Sequence, residues 1–496
     1  MYSTGVAARL PILHKTPFVL DERPLVEATS AHAGLLGISR AFRALRLPDL
    51  IAANLSLRKR QRGFSEAQFI ETITLLQTLG GECPDDVRLL AADTCLERGL
   101  GYAPPKATAL RAFLERFHDP ELESLRPQRA DQRSFIFPAS APGQALQAVQ
   151  AGLVRHIAQL YAQRGQAQKI ATVDQDATII ESHKAAAYRH YDAGRGYQPM
   201  VAVWAEADLV LADEYRDGNV PAKQAPLTCA QRAFAALPPG LEQRFFRGDS
   251  ACHEQELISW LKHPDRSAES GGPIGFAISA VMSAALAEKV RAVPEAHWQT
   301  ITKEADGTLR QWAEVAFVPG EKYEQKESQP LRYVGLRLCK AQGVLFADGT
   351  DRHYHAVVTN RELTAVRGDR LLEWQREKAG TVEHTHDEVK NELGGSHVPS
   401  QRFGVNAAWF SLSLLTYNVV SAVKGLCLEA PERTARLKRF RVLVIHLAGR
   451  MNRNNCVMGL RLCAPVEAIA RLKRIWEVFE LPTQATAAQA LGKGVG

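Results

Sequence analysis

The spacing of apolar residues predicts helices in the first quarter of the chain. Between residues 31 and 117, apolar side chains recur at helical intervals. Ser65 and Gln68 have the spacing of a capping box, Phe69, Ile73 and Leu76 recur on one helix face, and the glycines at 80 and 81 are a typical helix end. Two further helices are predicted, over residues 86–96 and 108–117. The N-terminal part is therefore expected to be a helical domain.

A predicted helix over residues 144–163 is followed by runs in which apolar and polar residues alternate, as in strands. Short turns containing Gly or Asp separate the first three strands, which predicts an antiparallel meander. The predicted strands cover residues 169–178, 197–206, 209–216, 244–248 and 274–279, and the predicted helices between them cover 229–237 and 253–262. This element order predicts an α/β fold with a ribonuclease-H-like core, in which helices flank a mixed sheet.

Longer alternating strands, over residues 309–318 and 331–340, then predict a β-rich insertion. The core pattern resumes with a strand at 354–359, a helix at 381–393 and an apolar helix at 407–423. We therefore predict five segments: an N-terminal helical DNA-binding region (1–143), the first part of the core (144–290), the β-rich insertion (291–350), the second part of the core with a glutamate-bearing helix (351–430) and a basic C-terminal region (431–496).

Composition places the chain among folded proteins. Of its 496 residues, 46% are apolar and 23% are charged, which is enough apolar surface for several hydrophobic cores and excludes disorder as the main state. The apolar stretches 272–286 and 407–423 are shorter than the ~20 residues of a membrane span, so we expect buried core and no membrane partner. No secretory signal is visible, which favours the cytoplasm. The eight cysteines form no CxxC pair, so we expect no zinc ribbon and no disulfide framework.

The net charge of +7 is modest, but its distribution is uneven. A basic cluster at residues 58–62 precedes the Ser65 helix, and residues 433–466 contain no Asp or Glu. The apolar run 442–447 predicts a strand with basic flanks in the second segment. Both segments are candidate phosphate contacts, with a solvated loop as the alternative for the first. The candidates are Arg58, Lys59, Arg60, Arg62, Arg436, Lys438, Arg439, Arg441, Arg450 and Arg453.

Four carboxylates occupy positions where this fold would gather them. Asp174 and Asp176 are two apart on the first predicted strand and share a face near its carboxyl end, where ligands of α/β sheets collect. Asp249 follows a short apolar strand, and Glu383 stands in a helix seven residues before Lys390. Each has an ordinary alternative: a solvent-facing strand edge, a turn or helix cap, and a helix N-terminus. Their combination favours a site, because one fold can bring all three elements to one point.

Clustered carboxylates suit hard divalent cations. Mg²⁺ prefers oxygen ligands and keeps positions open for phosphate oxygens. Two such ions about 3.5–4 Å apart activate a water or a 3′-hydroxyl and stabilise the leaving oxygen of a phosphodiester. This points to phosphoryl transfer on a nucleic acid. A glycosidase with paired carboxylates is the remaining alternative, but the basic segments and the 7% of aromatic residues do not suit a sugar cleft.

Four motifs together resemble the DDE transposases of bacterial insertion sequences, and the insertion-sequence 1380 family in particular. The motifs are Asp174-Gln-Asp-Ala-Thr, Gly194-Arg-Gly-Tyr-Gln-Pro-Met, Arg247-Gly-Asp-Ser and the helix 383–390. Residues 86–93 and 109–117 are similar to the N-terminal helical region of that family. The likeness therefore covers most of the chain. The sequence departs from the family where Arg and Tyr precede the glutamate by four and seven residues, because Ala379 and Arg376 stand there.

The resemblance implies that Asp176, Asp249 and Glu383 are catalytic and bind two Mg²⁺ ions, for which Mn²⁺ can substitute. It implies an auxiliary metal-ligand or supporting role for Asp174, and a phosphate contact for Lys390. The remaining implied DNA contacts are Arg376 or Trp374, in place of the missing residues, and Trp298 and Trp312, which would stack a flipped base if they do not simply pack in the core.

The activity that the resemblance implies is cut-and-paste transposition. The protein would bind the terminal inverted repeats of its element, cleave double-stranded DNA and join the freed ends to target DNA, as a homodimer that bridges two ends. Two alternatives remain open. A ribonuclease-H-like nuclease would use the same acids without joining, and a transposase-derived DNA-binding regulator would have lost catalysis.

Overall fold

A nine-stranded mixed sheet runs through the protein. The structure is a computed structural model that describes residues 27–58, 62–128, 131, 133–319, 331–341, 344–454 and 457–480. The strands of the large sheet and of two three-stranded sheets are, in chain order, β1 (Thr29–Ser30), β2 (Ile170–Ala177), β3 (Ile180–Glu181), β4 (Tyr188–Arg189), β5 (Arg195–Tyr197), β6 (Met200–Trp204), β7 (Leu209–Glu214), β8 (Gln243–Gly248), β9 (Ile274–Ser279), β10 (Gln299–Lys303), β11 (Leu309–Val315), β12 (Arg332–Cys339), β13 (Arg352–Thr359), β14 (Ala448–Asn454) and β15 (Val457–Cys463).

Helices precede, flank and follow this sheet. They are α1 (Leu35–Ala44), α2 (Leu47–Asn54), α3 (Glu66–Leu79), α4 (Arg88–Ala91), α5 (Thr94–Leu100), α6 (Ala107–Leu114), α7 (Pro120–Ser124), α8 (Ala141–Gln163), α9 (Leu227–Ala236), α10 (Gln255–Leu261), α11 (Ala284–Arg291), α12 (Gly368–Arg376), α13 (Val382–Glu392), α14 (Phe403–Cys427), α15 (Ala430–Arg433), α16 (Leu437–Phe440) and α17 (Val466–Val478). The predicted mixed α/β architecture is therefore confirmed.

The strand order of the large sheet is β10-β11-β12-β13-β9-β8-β2-β6-β7. Strand β2 is central: it pairs antiparallel with β6 and parallel with β8, and β8 pairs parallel with β9. Strands β6 and β7 complete the predicted antiparallel meander. Because β2 and β8 are parallel neighbours, their carboxyl ends lie at the same edge of the sheet, and so do the acids that follow them.

Strands β10, β11 and β12, from the predicted insertion, continue the large sheet through β13 and β9. Most of the buried apolar side chains among the described residues form one cluster, and a smaller cluster lies around Trp312. The larger cluster contains side chains of the N-terminal helices, of the sheet and of α14. The five predicted segment boundaries stay predictions.

Helix α14 is the main core helix. Its length and apolarity would suffice to cross a membrane, but 89% of its most apolar window is buried inside the protein. This confirms the prediction that residues 407–423 are core. The capping box before α3 is also confirmed: Ser65 and Gln68 exchange hydrogen bonds, and Gly80 ends the helix with a left-handed φ of 107°.

Two predicted elements are wrong. The helix over residues 86–96 is broken, because the Asp93 side chain accepts a hydrogen bond from the Leu96 amide and begins a new helix, α5. The run 442–447 is not a strand. Residues Arg441–Ile445 form a wide helical turn whose apolar side chains are mostly buried, and the strands β14 and β15 follow it. A short apolar run does not by itself distinguish a strand from a buried helical turn.

Candidate active site

Three acids from three separate elements line one cavity of about 690 Å³. Asp176 lies near the carboxyl end of β2, and Asp249 directly follows β8. Glu383 lies in the first turn of α13 and is exposed. The structure therefore brings the three predicted catalytic carboxylates to one site, although they are distant in the sequence.

The turn after β8 positions Asp249. A Cβ at Gly248 would lie 2.5 Å from the Cβ of Cys252, so this close approach requires glycine. The Asp249 carboxylate accepts a hydrogen bond of 3.0 Å from the Ala251 amide and begins a short helical turn. Burial raises the pKa of Asp249, and the neighbouring charge of Asp176 raises it further. These two acids are therefore electrostatically coupled.

A lysine that the sequence analysis did not name pairs with one of these acids. The Nζ atom of Lys378 donates a hydrogen bond of 2.6 Å to Oδ2 of Asp176, and only 7% of Lys378 is exposed. Burial acts to lower the pKa of Lys378, but Asp176 and Asp249 outweigh it and the pKa is raised. Lys378 stands next to Ala379, so a shift of one residue in the family signature would have found it.

Of the two roles expected for Asp174, auxiliary metal ligand or supporting acid, its contacts favour the second. Asp174 is fully buried, and Arg247 donates two hydrogen bonds to it, from Nε to Oδ1 at 2.6 Å and from Nη2 to Oδ2 at 2.8 Å. The hydroxyl of Thr381, just before α13, also donates to Oδ2. Both carboxylate oxygens are thus occupied, which makes Asp174 a structural anchor of the site.

Arg247 connects the parts of the site. Besides Asp174, its guanidinium contacts the Trp374 carbonyl at 2.6 Å and the Glu377 carboxylate at 3.0 Å, and it lies over the Trp374 ring. Gln375 donates a hydrogen bond of 2.7 Å to the Gly248 carbonyl. These contacts fix the end of α12, and with it the start of α13, against the strand that presents Asp249.

Basic side chains, which we call the cationic wall, also line the cavity. Arg376 of α12 is exposed, and Arg310 of β11 and His355 of β13 line the same cavity. Burial and the nearby Arg376 lower the pKa of Arg310. Burial, His353 and Arg310 lower the pKa of His355. The sequence analysis missed Arg310 and His355, because only strand pairing shows that β11 and β13 reach the site. This wall has the charge that phosphate groups require.

The other half of α13 is more enclosed. Lys390 is half-buried, donates a hydrogen bond of 3.2 Å to Thr178 Oγ1 and does not line the cavity. Burial lowers the pKa of Lys390. His386 is buried, its pKa is lowered to about 4 by burial, and its Nε2 atom has no hydrogen-bond partner among the described residues. The phosphate contact of Lys390 stays a prediction.

The basic C-terminal segment holds α13 in place. Arg436 pairs with Asp387 and with Glu392 on that helix. Arg441 is buried and donates to the carbonyls of Thr78, Gln77 and Glu392, at the ends of α3 and α13. The prediction that Arg441 contacts DNA is therefore wrong, because its guanidinium satisfies helix carbonyls.

The remaining predicted DNA contacts differ in exposure. Lys438 and Arg439 are exposed, and Arg450 pairs with Glu27 at 2.7 Å. Arg58 is half-buried against Glu66 at 2.8 Å, whereas Arg62 is exposed. Outside the described residues or side chains lie Lys59, Arg60 and the side chain of Arg453. The DNA contacts of these residues and of Arg436 stay predictions.

Trp298 is not available for stacking on a base. It is 7% exposed, its ring lies 4.5 Å from the Arg337 guanidinium, and its indole N–H donates to the Val293 carbonyl. Trp312 is also buried, in a cluster with Leu371. Core packing, the alternative for both tryptophans, is what the structure shows. The prediction that Trp298 binds DNA is therefore wrong.

We expect Trp298→Phe to lower the free energy of unfolding by about 1–2 kcal/mol, since it leaves a partial cavity and an unpaired carbonyl. The affinity for end DNA should not change. Thermal unfolding and a binding titration measure the two effects. A large loss of affinity with unchanged stability would contradict the buried role of Trp298.

The donor set suits a hard divalent cation, because Asp176, Asp249 and Glu383 all offer carboxylate oxygens to one cavity. Within the part of the chain that the structure describes, no three acidic, histidine or cysteine side chains are arranged closely enough to hold a metal ion. Lys378 instead neutralises Asp176 directly. The chemistry of the residues therefore fits a metal, while the structure shows Asp176 paired with an ammonium group and Asp249 interacting electrostatically with both.

Comparison with known proteins gives a matching family and several similar solved structures. Residues 27–481 match the profile of the family described as transposase DDE domain group 1. No curated protein sequence matches the chain. Among solved structures, the chain is similar to the piggyBac transposase in a synaptic complex with hairpin DNA, with 10% sequence identity and a TM-score of 0.37 over 95% of this chain and 92% of that chain.

Proposed function

The chain belongs to the transposase DDE domain group 1 family, and we propose that it is an active cut-and-paste transposase. In this proposal it binds the terminal inverted repeats of its insertion sequence, cleaves double-stranded DNA and joins the freed 3′ ends to target DNA. We further propose that it belongs to a bacterial element of the insertion-sequence 1380 type. It would act on DNA in the cytoplasm, as a homodimer that bridges two ends.

The observation that carries this proposal is the shared cavity of Asp176, Asp249 and Glu383. We propose that the five strands β7-β6-β2-β8-β9 are a ribonuclease-H-like core. Three antiparallel strands followed by two parallel ones support this assignment. In such a sheet, the ends of the two neighbouring parallel strands present Asp176 and Asp249 side by side.

The residues around the cavity have separate roles in the proposed phosphodiester chemistry. The three carboxylates would hold two Mg²⁺ ions, which Mn²⁺ can replace. When bound, these ions supply Lewis-acid activation of the attacking oxygen and stabilise the leaving oxygen. Arg310 and Arg376, which also line the cavity, can bind phosphate oxygens in bidentate fashion and orient the DNA strand. Arg247 and Asp174 keep the strand ends and α13 in register.

Strand transfer tests the proposal directly. Full-length protein is incubated with Mg²⁺, a supercoiled target plasmid and DNA ends from the flanks of its gene, pre-cut in one reaction and uncut in another. We expect joined products that contain both the end and the target. Cleavage of uncut ends without any joining would identify a nuclease. Binding of end DNA with neither cleavage nor joining would identify a regulator derived from a transposase.

A separate prediction concerns the cationic wall. Arg376→Ala should weaken binding to end DNA and reduce the slope of log K against log salt concentration by about 1, as expected for one lost phosphate contact. Arg370→Ala is the matched control, because Arg370 is exposed on the same helix but pairs with Glu373 and does not line the cavity. Equal salt slopes for both variants and the wild type would exclude a phosphate contact by Arg376.

A further inference from the structure

Lys378 is placed where a positive charge balances the two neighbouring aspartates of the site. Its ammonium group lies 2.6 Å from Oδ2 of Asp176, and the side chains of the pair are 8% and 18% exposed. Asp249 lines the same cavity and interacts electrostatically with both groups. Two adjacent carboxylates repel each other in a partly buried site, so a nearby cation stabilises their ionised forms.

We propose that Lys378 is a built-in substitute for the metal. Its ammonium group holds Asp176 and Asp249 together in the metal-free protein, and divalent cations bind by displacing it. This inference rests on the proposed metal site and adds a step to it: metal entry is a competition between two cations for the same carboxylates.

A divalent cation and the ammonium group of Lys378 would compete for the carboxylate of Asp176. A divalent cation that binds Asp176 must share a carboxylate whose Oδ2 atom already accepts from Lys378. Two cations on one carboxylate repel each other across a short, poorly solvated distance, so metal and ammonium group exclude one another.

The local structure allows Lys378 to leave. It belongs to a short helical turn, Glu377–Gly380, between α12 and α13, and the next residues, Ala379 and Gly380, are exposed. Its four-carbon side chain is flexible and its head group is readily hydrated. The adjoining cavity of about 690 Å³ offers room for the displaced ammonium group. Arg247, by contrast, is fixed by several partners and cannot exchange in this way.

The test is metal affinity without DNA. Full-length wild type and Lys378→Met are titrated with Mn²⁺ and followed by calorimetry and by the electron paramagnetic resonance of free Mn²⁺. We expect Lys378→Met to bind Mn²⁺ about 10-fold more tightly or better, since a competing charge is removed. The metal-free variant should unfold at a lower temperature than wild type, and Mn²⁺ should raise its unfolding temperature more.

Two further variants make the result specific. Lys390→Met removes the same charge from the neighbouring helix, where Lys390 contacts Thr178 and not Asp176, so its Mn²⁺ affinity should change by less than about twofold. Lys378→Gln keeps a hydrogen-bond donor but loses the charge, and should also bind Mn²⁺ more tightly than wild type. It serves as the test variant if Lys378→Met does not fold. Unchanged or weaker Mn²⁺ binding by the folded Lys378 variants would overturn the inference.

The inference and the proposed function fail differently. If Asp249→Asn binds Mn²⁺ as well as wild type does, the proposed metal site itself is wrong. If Asp249→Asn loses Mn²⁺ but Lys378→Gln binds it no better than wild type, the metal site stands and only the competition is excluded. Neither result depends on cleavage or joining of DNA.

Discussion

Asp249→Asn is expected to reduce the rate of DNA-end cleavage by about 10³-fold or more, since losing a metal-holding carboxylate removes several kcal/mol of transition-state stabilisation. The substitution keeps the size and shape of the side chain, and its oxygen can still accept the hydrogen bond from the Ala251 amide. Affinity for end DNA should therefore remain close to that of the wild type. Glu383→Gln should behave in the same way, because Glu383 lines the same cavity.

Cleavage is measured with labelled end DNA and Mg²⁺, and binding by a mobility-shift titration with Ca²⁺ in place of Mg²⁺. Asp265→Asn is the matched control, because Asp265 is an exposed acid that does not line the cavity. Its cleavage rate should not change. Normal cleavage by Asp249→Asn or by Glu383→Gln would remove that residue from the proposed catalytic set.

Asp174→Asn is expected to lower the free energy of unfolding by about 3–5 kcal/mol, the usual cost of leaving one partner of a buried ion pair uncompensated. Arg247 is 2% exposed and has Asp174 as its closest ionic partner, so the variant leaves a guanidinium with reduced compensation between two strands. Thermal and denaturant unfolding measure the loss, which should appear with and without Mn²⁺.

The strand pair β2 and β8 provides its own control. Lys169 and Glu242 pair across the other ends of these strands at 2.7 Å, but both side chains are largely exposed. Glu242→Gln should therefore leave the stability close to that of the wild type. If Asp174→Asn were as stable as wild type but failed to bind Mn²⁺, Asp174 would be a metal ligand after all, and its structural role would be wrong.

Much of the fold follows from local patterns that the sequence displays. Short apolar runs bounded by turn residues placed β2 and β6 to β9 within a few residues, and β6 and β7 are buried at every position. The Ser65 capping box and the Gly80 helix end were predictable because each depends on a few neighbouring residues. The wrong elements, at residues 86–96 and 442–447, are short segments whose conformation depends on caps and on packing against distant residues.

The candidate site likewise has features that local sequence predicts and features that depend on distant residues. The sequence by itself determined which acids follow strand ends, and parallel neighbours bring Asp176 and Asp249 to one edge of the sheet. Pattern alone could not tell the roles of Asp174 and Asp176 apart, since two residues on one strand face are equivalent, and only the family resemblance favoured Asp176. Only the tertiary structure separates them. Arg247 donates hydrogen bonds to Asp174, which lies 73 residues earlier in the sequence. Lys378 pairs with Asp176, which lies 202 residues earlier.

The same reason explains the basic residues. The sequence shows that residues 433–466 are free of acids, but not where their cations point. In the structure the buried Arg441 binds helix carbonyls instead of remaining available for DNA, whereas the exposed Arg436 pairs with Asp387 and Glu392 of α13. Charge type and periodicity are local properties, which the sequence determines. The partner of each charge is a long-range property, which depends on how the strands and helices pack, and only the tertiary structure decided it.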